Sequence, residues 1–126
     1  MSSEILKTLP NININNRFVC THSFSELTAL CPETKLPDFY TVIITYEPNE
    51  LLIELKSLKL YYGKYRQIEI FHEEITNAIF HDFVDLLKPR WAKIILTANI
   101  RGGISTTITI FWNDKNGYEV MLNQAS

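Results

Sequence analysis

Glu54-Leu-Lys-Ser-Leu-Lys-Leu-Tyr61 is the stretch in which the chain changes period. Leading into it, Leu51, Ile53 and Leu55 alternate with Leu52, Glu54 and Lys56, the two-residue repeat of a strand. From Ser57 onward Leu58, Tyr61, Tyr62 and Tyr65 recur at helical spacing. A strand that passes directly into a helix calls for a mixed fold. Glu54, Lys56 and Lys59 bring one carboxylate and two ammonium groups to the junction. Taken locally, such charges are solvated punctuation unless other residues converge on them.

On the C-terminal side, Ser57 to Arg66 reads as a helix, weakened in its second half by Gly63, and Gln67 to Phe71 as a connector. His72 to Leu87 has the strongest helical pattern in the chain. Ile75, Ile79, Phe83 and Leu86 form an apolar stripe, Glu73 and Glu74 favour the first turn, and Lys88 and Pro89 end the pattern. Trp91 to Ala98 and Ile104 to Trp112 read as strands joined by a turn at Arg101-Gly-Gly103. On the N-terminal side, Phe39 to Glu47 is rich in β-branched and aromatic residues and reads as a strand. Pro48-Asn49 turns it, and Leu51 to Lys56 is expected to return as its hairpin partner. Arg17 to Ser23 is a further strand, and Phe24 to Leu30 an extended edge or a short helical turn. Residues 1–16 are polar and Asn-rich and read as a flexible arm, entering a strand near Ile14, with residues 17–126 as one domain. The order predicts an α+β fold, a mostly antiparallel sheet with two helices on one face. Such a sheet has open edges, which self-association would hide.

The 126 residues suffice for one domain with a real core, and 46% hydrophobic with 21% charged residues is ordinary for a globular chain. A net charge of -2 gives no argument for nucleic acid or an anionic membrane as partner. No apolar run approaches the roughly 20 residues of a membrane helix, and no signal-peptide pattern opens the chain, so the cytoplasm is the expected location. The two cysteines, Cys20 and Cys31, fit no zinc or CxxC spacing, and His22, His72 and His81 form no motif, so no metal is expected.

Three constellations remain. In Cys31-Pro-Glu-Thr-Lys-Leu-Pro-Asp38 two prolines stiffen a loop that begins with a thiol and ends with a carboxylate. That pair could act as nucleophile and proton donor. Spacing alone favours a buried thiol and a turn-capping aspartate. His72-Glu73 opens the best helix, as ordinary helix-start chemistry or as a pair that accepts the N–H edge of a purine-type base. Arg101-Gly102-Gly103 is a hairpin turn or a phosphate contact.

Four motifs in order resemble those of the 7-cyano-7-deazaguanine reductases, the nitrile reductases of queuosine biosynthesis, in their short single-module form. They are Leu30-Cys31-Pro32 with Pro37-Asp38-Phe39; Glu54-Leu-Lys-Ser-Leu-Lys-Leu-Tyr61; Phe71-His72-Glu73-Glu74; and Pro89-Arg90-Trp91 with Arg101-Gly102-Gly103-Ile104. The likeness runs from about Phe24 to about Ile110. Tyr62 to Ile70 departs from the family's usual pattern.

The resemblance implies the tunnelling fold. Its subunits join sheets into a barrel, typically two face-to-face pentamers with sites at subunit interfaces. It implies Cys31 as the nucleophile that forms a thioimide with a deazapurine nitrile, and Asp38 as proton donor. Ile53, Glu54, Leu55, His72 and Glu73 would bind the substrate. Lys56, Lys59 and Arg101 would bind NADPH. Nearby cations are one route to a lowered Cys31 pKa. Two alternatives are an archaeal-type amidinotransferase acting on the same nitrile in tRNA, disfavoured by the retained lysines, and a non-catalytic purine- or pterin-binding protein of the same fold.

Overall fold

The computed structural model describes residues 3–119, apart from the side chains of Ser3, Ile100 and Arg101. Seven strands and two α-helices follow one another as β1 (Thr8–Pro10), β2 (Cys20–Leu30), β3 (Pro37–Glu47), β4 (Leu51–Ile53), α1 (Leu55–Gly63), α2 (His72–Leu87), β5 (Trp91–Arg101), β6 (Ile104–Asn113) and β7 (Gly117–Glu119). A 3-10 turn, Lys64–Gln67, extends α1. The main sheet has five antiparallel strands in the order β2-β3-β5-β6-β7. Both helices lie in the connection between the neighbouring strands β3 and β5.

Strand alternation decides which face the helices cover. Tyr40, Val42, Ile44 and Tyr46 of β3 are buried, as are Ala92, Ile94, Leu96 and Ala98 of β5. The intervening Thr41, Ile43, Thr45, Lys93, Ile95 and Thr97 are only half-buried. Against the buried face pack Ile75, Ile79, Phe80, Phe83 and Leu87 of α2 and Leu58, Tyr61 and Tyr62 of α1. Each fully buried large side chain of this kind contributes about 1.5–3 kcal/mol. The α+β expectation, with two helices on one face of an antiparallel sheet, holds. Helix α2 has the predicted bounds and closes with Lys88 in the left-handed region at φ 45°, its N–H on the Val84 carbonyl at 2.9 Å. Across the β5–β6 turn Gly102 and Gly103 take φ of 58° and 83°, which is why two glycines stand there. None of the helices among the described residues is long and apolar enough to cross a membrane.

Three local expectations are corrected. Leu51–Ile53 does not pair with β3. It forms a separate two-stranded ladder with β1, Thr8 opposite Ile53 and Pro10 opposite Leu51. Strand β3 already has β2 on one side and β5 on the other, so no edge is left for a hairpin partner. The segment expected as a flexible arm is in part built into the fold. Leu6 is buried in the core and Thr8–Pro10 is a strand, whereas the residues around Ile14 form turns. Finally, the strand expected over Arg17 to Ser23 begins at Cys20 and runs on through Phe24 to Leu30, where the extended-edge reading holds and the helical turn does not. Cys20–Leu30 is one 11-residue strand whose register shifts at a bulge between Phe24 and Leu27, where Ser25 and Glu26 are exposed.

Candidate active site

The β2–β3 hairpin builds the first half of the site. Its last ladder pairs are Ala29 with Asp38 and Leu30 with Pro37, and residues 31–36 close the end. Cys31 N–H donates to the Leu36 carbonyl at 2.9 Å, and Lys35 N–H donates to the Cys31 carbonyl at 2.8 Å. Lys35 sits in the left-handed region at φ 62°. Cys31 is half-buried, and the groups that act on its thiol are the N–H and hydroxyl of Thr34 and the N–H of Glu33. These donors pull the thiol below its ordinary pKa, against partial desolvation and the negative charge of Asp38. Loop N–H groups and a hydroxyl, rather than cations, lower that pKa.

Asp38 is the second residue of β3. It starts the buried face of β3, two residues before Tyr40, and is itself buried. The Tyr40 hydroxyl lies 2.8 Å from Nδ1 of His72, and the two rings meet edge to face with centroids 5.3 Å apart. That contact fixes the first residue of α2. Glu73 follows it and is exposed.

What brings α2 to the hairpin is the connector at 68–70. Leu30 N–H donates to the Ile68 carbonyl at 2.9 Å, and Ile70 N–H donates to the Leu30 carbonyl at 3.0 Å. Three residues thereby add a short parallel rung to the outer edge of β2. Lys35 ties the loop to the same connector through Glu69 at 2.8 Å. Cys31, Asp38, His72 and Glu73 are thus gathered at one end of β2.

The second half is at the other end. Glu54 is the N-cap of α1, its carboxylate accepting the N–H groups of Ser57 at 2.7 Å and Lys56 at 2.9 Å. Those bonds hold it below the ordinary carboxylate range. The Lys7 backbone clamps the cap. Glu54 N–H donates to the Lys7 carbonyl, and Lys7 N–H to the Ser57 hydroxyl, each at 2.9 Å. Ile53 is a core residue whose N–H donates to the Tyr46 hydroxyl at 3.1 Å. Lys56 and Lys59, three apart and exposed, share a helix face. Neither is in ion-pair distance of a carboxylate among the described residues. Lys59 and Leu55 border a pocket of about 240 Å³ whose other walls include Thr21, Ser23, Phe24 and Tyr62. The Lys59 ammonium group, beside hydroxyls and apolar walls, suits a phosphate-bearing cofactor. The side chain of Arg101 lies outside the described residues.

Helix α1 runs along β2 from that pocket, with Tyr62 stacked on Phe24 at 4.8 Å, toward the connector at Leu30. Phe24 and Cys31 are therefore separated by an extended stretch on the order of 20 Å. One chain does not bring its lysines to its own cysteine. Sequence reasoning missed Thr34 and Tyr40. In the sequence Thr34 is only part of a stiff loop, and Tyr40 only a strand former.

The QueF-like protein family matches residues 37–117. That span includes Asp38, Glu54, Lys56, Lys59, His72 and Glu73, and Cys31 stands six residues before it. A protein of Chloroherpeton thalassium named NADPH-dependent 7-cyano-7-deazaguanine reductase is 45% identical over 109 residues, covering 86% of this chain and 94% of its own. A Prochlorococcus marinus protein of the same name is 41% identical over 113 residues, covering 90% and 81%. Among solved structures, the archaeosine synthase QueF-Like in its apo form superposes with a TM-score of 0.69 at 19% identity, over 74% of this chain and 91% of that one. The last likeness is one of fold. With a family match over most of its length and relatives above 40% identity, the chain belongs to the QueF-like family.

Proposed function

We propose that this chain is an NADPH-dependent reductase that converts the nitrile of 7-cyano-7-deazaguanine to the 7-aminomethyl group, in the cytoplasm and in the service of tRNA queuosine biosynthesis. The observation that carries this reading is a donor-lined thiol, Cys31, and a buried carboxyl, Asp38, at the two ends of one closed loop. They occur in a chain 45% identical to a reductase of that name.

In the proposed reaction the Cys31 sulfur adds to the nitrile carbon, and Asp38 gives a proton to the nitrile nitrogen. The C≡N bond becomes a C=N bond, and a thioimide is formed. When bound, NADPH supplies hydride to carbon, once for each of two reductions. After the first, the C–S bond breaks, Cys31 leaves as thiolate and an imine remains. Reduction of the imine, with a second proton, gives the amine. The four electrons come from two equivalents of NADPH. Donors around the sulfur favour both its attack and its departure. Glu73 accepts the N–H and amino edge of the base, and His72, oriented by Tyr40, holds it beside the thiol. Lys56 and Lys59 take the phosphates of the cofactor.

The separation of these lysines from Cys31 supports a site completed between copies of the chain. Strand β2 is an edge of the main sheet. Joining edges would bring the lysine end of one copy to the thiol end of the next, in an oligomer for which two pentamers is the proposed form. Exclusion of water at such a junction protects the hydrolysable imine.

The amidinotransferase alternative is not favoured. Its support is a likeness of fold at 19% identity, against reductase relatives at 40–45%. Incubation with the free nitrile base and NADPH separates the two. Cofactor oxidation with formation of the primary amine supports the reductase. No oxidation, with incorporation of ammonia, overturns it.

A further inference from the structure

The main sheet has a second face, away from the helices. Ala92 and Ile94 of β5 are buried under the helices, so Trp91 and Lys93 point the other way. Their ladder partners on β6, Asn113 and Phe111, stand beside them on that face. A cavity of about 530 Å³ opens there, within the range of roughly 300–1,000 Å³ usual for small-molecule sites. Its wall carries Arg17, Arg90, Lys93 and Lys115 around the rings of Trp91 and Phe111. The two rings lie 27° from parallel with centroids 6.1 Å apart. Asp114 is the one carboxylate among the lining residues. A chain of net charge -2 thus gathers four cations around one aromatic-floored cavity.

The main chain builds these walls. Arg90 N–H donates to the Glu47 carbonyl at 2.9 Å, and Asp114 N–H donates to the Arg90 carbonyl at 3.0 Å. The Asn113 side-chain oxygen accepts the N–H groups of Lys115 at 3.0 Å and Asn116 at 2.7 Å, which sets the turn that carries Lys115. The positive charge is only partly spent. The buried Glu47 takes Nε and Nη2 of Arg17 and has Nε of Arg90 at 3.8 Å. A guanidinium carries five N–H groups, so each arginine keeps donors for a further partner. Lys93 and Lys115 have no carboxylate in ion-pair distance among the described residues.

The geometry points to a binding site for a nucleoside phosphate on this face, separate from the sites of the nitrile and of NADPH. Guanidinium and ammonium groups take phosphate oxygens, and the Trp91–Phe111 floor takes the flat base. Asp114 accepts from an exocyclic amino group at the rim. The site is not an extension of those already described. Asp38 and Glu47 lie at opposite ends of β3, about 30 Å apart along an extended strand. Lys59 and its pocket lie with α1 on the helix side of the sheet.

The test is calorimetric titration of the full chain with ADP, and separately with adenosine and with pyrophosphate. Wild type is compared with Lys115→Gln, with Lys93→Gln/Lys115→Gln and with Lys59→Ala, each checked for folding by circular dichroism. Lys115 is exposed on a turn, so its single replacement leaves the core untouched. ADP should bind wild type, and adenosine and pyrophosphate should each bind at least about tenfold more weakly, for want of phosphate or ring. Lys115→Gln should weaken ADP, and the double variant should weaken it about tenfold or more. Lys59→Ala should retain an ADP site of wild-type affinity. Absence of ADP binding to wild type would overturn the proposal. So would ADP affinity lost in Lys59→Ala but kept in the folded double variant, which would place the nucleotide at α1. Pyrophosphate bound as tightly as ADP would also overturn it, leaving an anion site that does not read the base.

Discussion

The Tyr40 hydroxyl and Nδ1 of His72 stand 2.8 Å apart, which joins the buried face of β3 to the first residue of α2. Tyr40 is fully buried, so its ring is fixed by the core before any ligand arrives. With Nδ1 engaged, the orientation of His72 is set and Nε2 is turned to other use.

Tyr40→Phe keeps the ring and removes the bond. KM for the nitrile base should rise about tenfold, the usual worth of one buried hydrogen bond, with a smaller change in kcat. Steady-state kinetics check this split. An unchanged KM would remove His72 from the binding of the base.

Lys59→Ala should raise KM for NADPH about tenfold, since a charge-assisted contact to phosphate is lost. Formation of the Cys31 adduct without cofactor should be unaffected, because lysine and thiol lie at opposite ends of β2. Adduct mass and cofactor kinetics, measured on the same preparation, separate the two halves of the site.

Leu6→Ala tests whether the N-terminal segment is part of the fold. Leu6 is 6% exposed and belongs to the main core. Truncating it should cost about 2–3 kcal/mol in urea unfolding. Because Lys7 clamps the N-cap of α1, the same variant should weaken NADPH binding. A change within experimental error would mean a detached arm.

The Arg17–Glu47 pair predicts a pH dependence of stability. Arg17 donates to both oxygens of Glu47, at 2.5 and 2.7 Å, and holds that carboxyl below its ordinary range, while desolvation opposes the shift. The folded-state pKa is depressed, so the stabilisation is complete above the unfolded value of about 4.3 and is lost as pH falls through the folded one. Arg17→Ala should lower Tm by several degrees at neutral pH. The gap to wild type should close as the pH drops below that window. Melting curves at neutral and acid pH decide it, and a gap independent of pH would assign the effect to packing.

Much of the fold was legible because it is written in local period. The change of period, read at Ser57, marked α1 although the helix takes in Leu55 and Lys56 as well, and the stripe Ile75–Ile79–Phe83 marked α2 with its ends. What failed was partnership. Leu51–Ile53 has a clear strand pattern, but nothing in its alternation says that it pairs with Thr8–Pro10 rather than with the strand before it. The site was legible as residue types in a family order. Its mechanism was not, because the donors on Cys31 are mostly backbone groups, and the rung that brings His72 near is made by the main chain of Leu30, Ile68 and Ile70. Such bonds have no side-chain signature.

The central claim is that Cys31 bonds covalently to the nitrile carbon. Intact mass after incubation with 7-cyano-7-deazaguanine, with NADPH omitted, tests it most directly. Wild type should gain the full mass of the nitrile base, and Cys31→Ala should gain nothing while remaining folded. An adduct of the same mass on Cys31→Ala, or none on wild type that still consumes NADPH with the nitrile, would contradict the account.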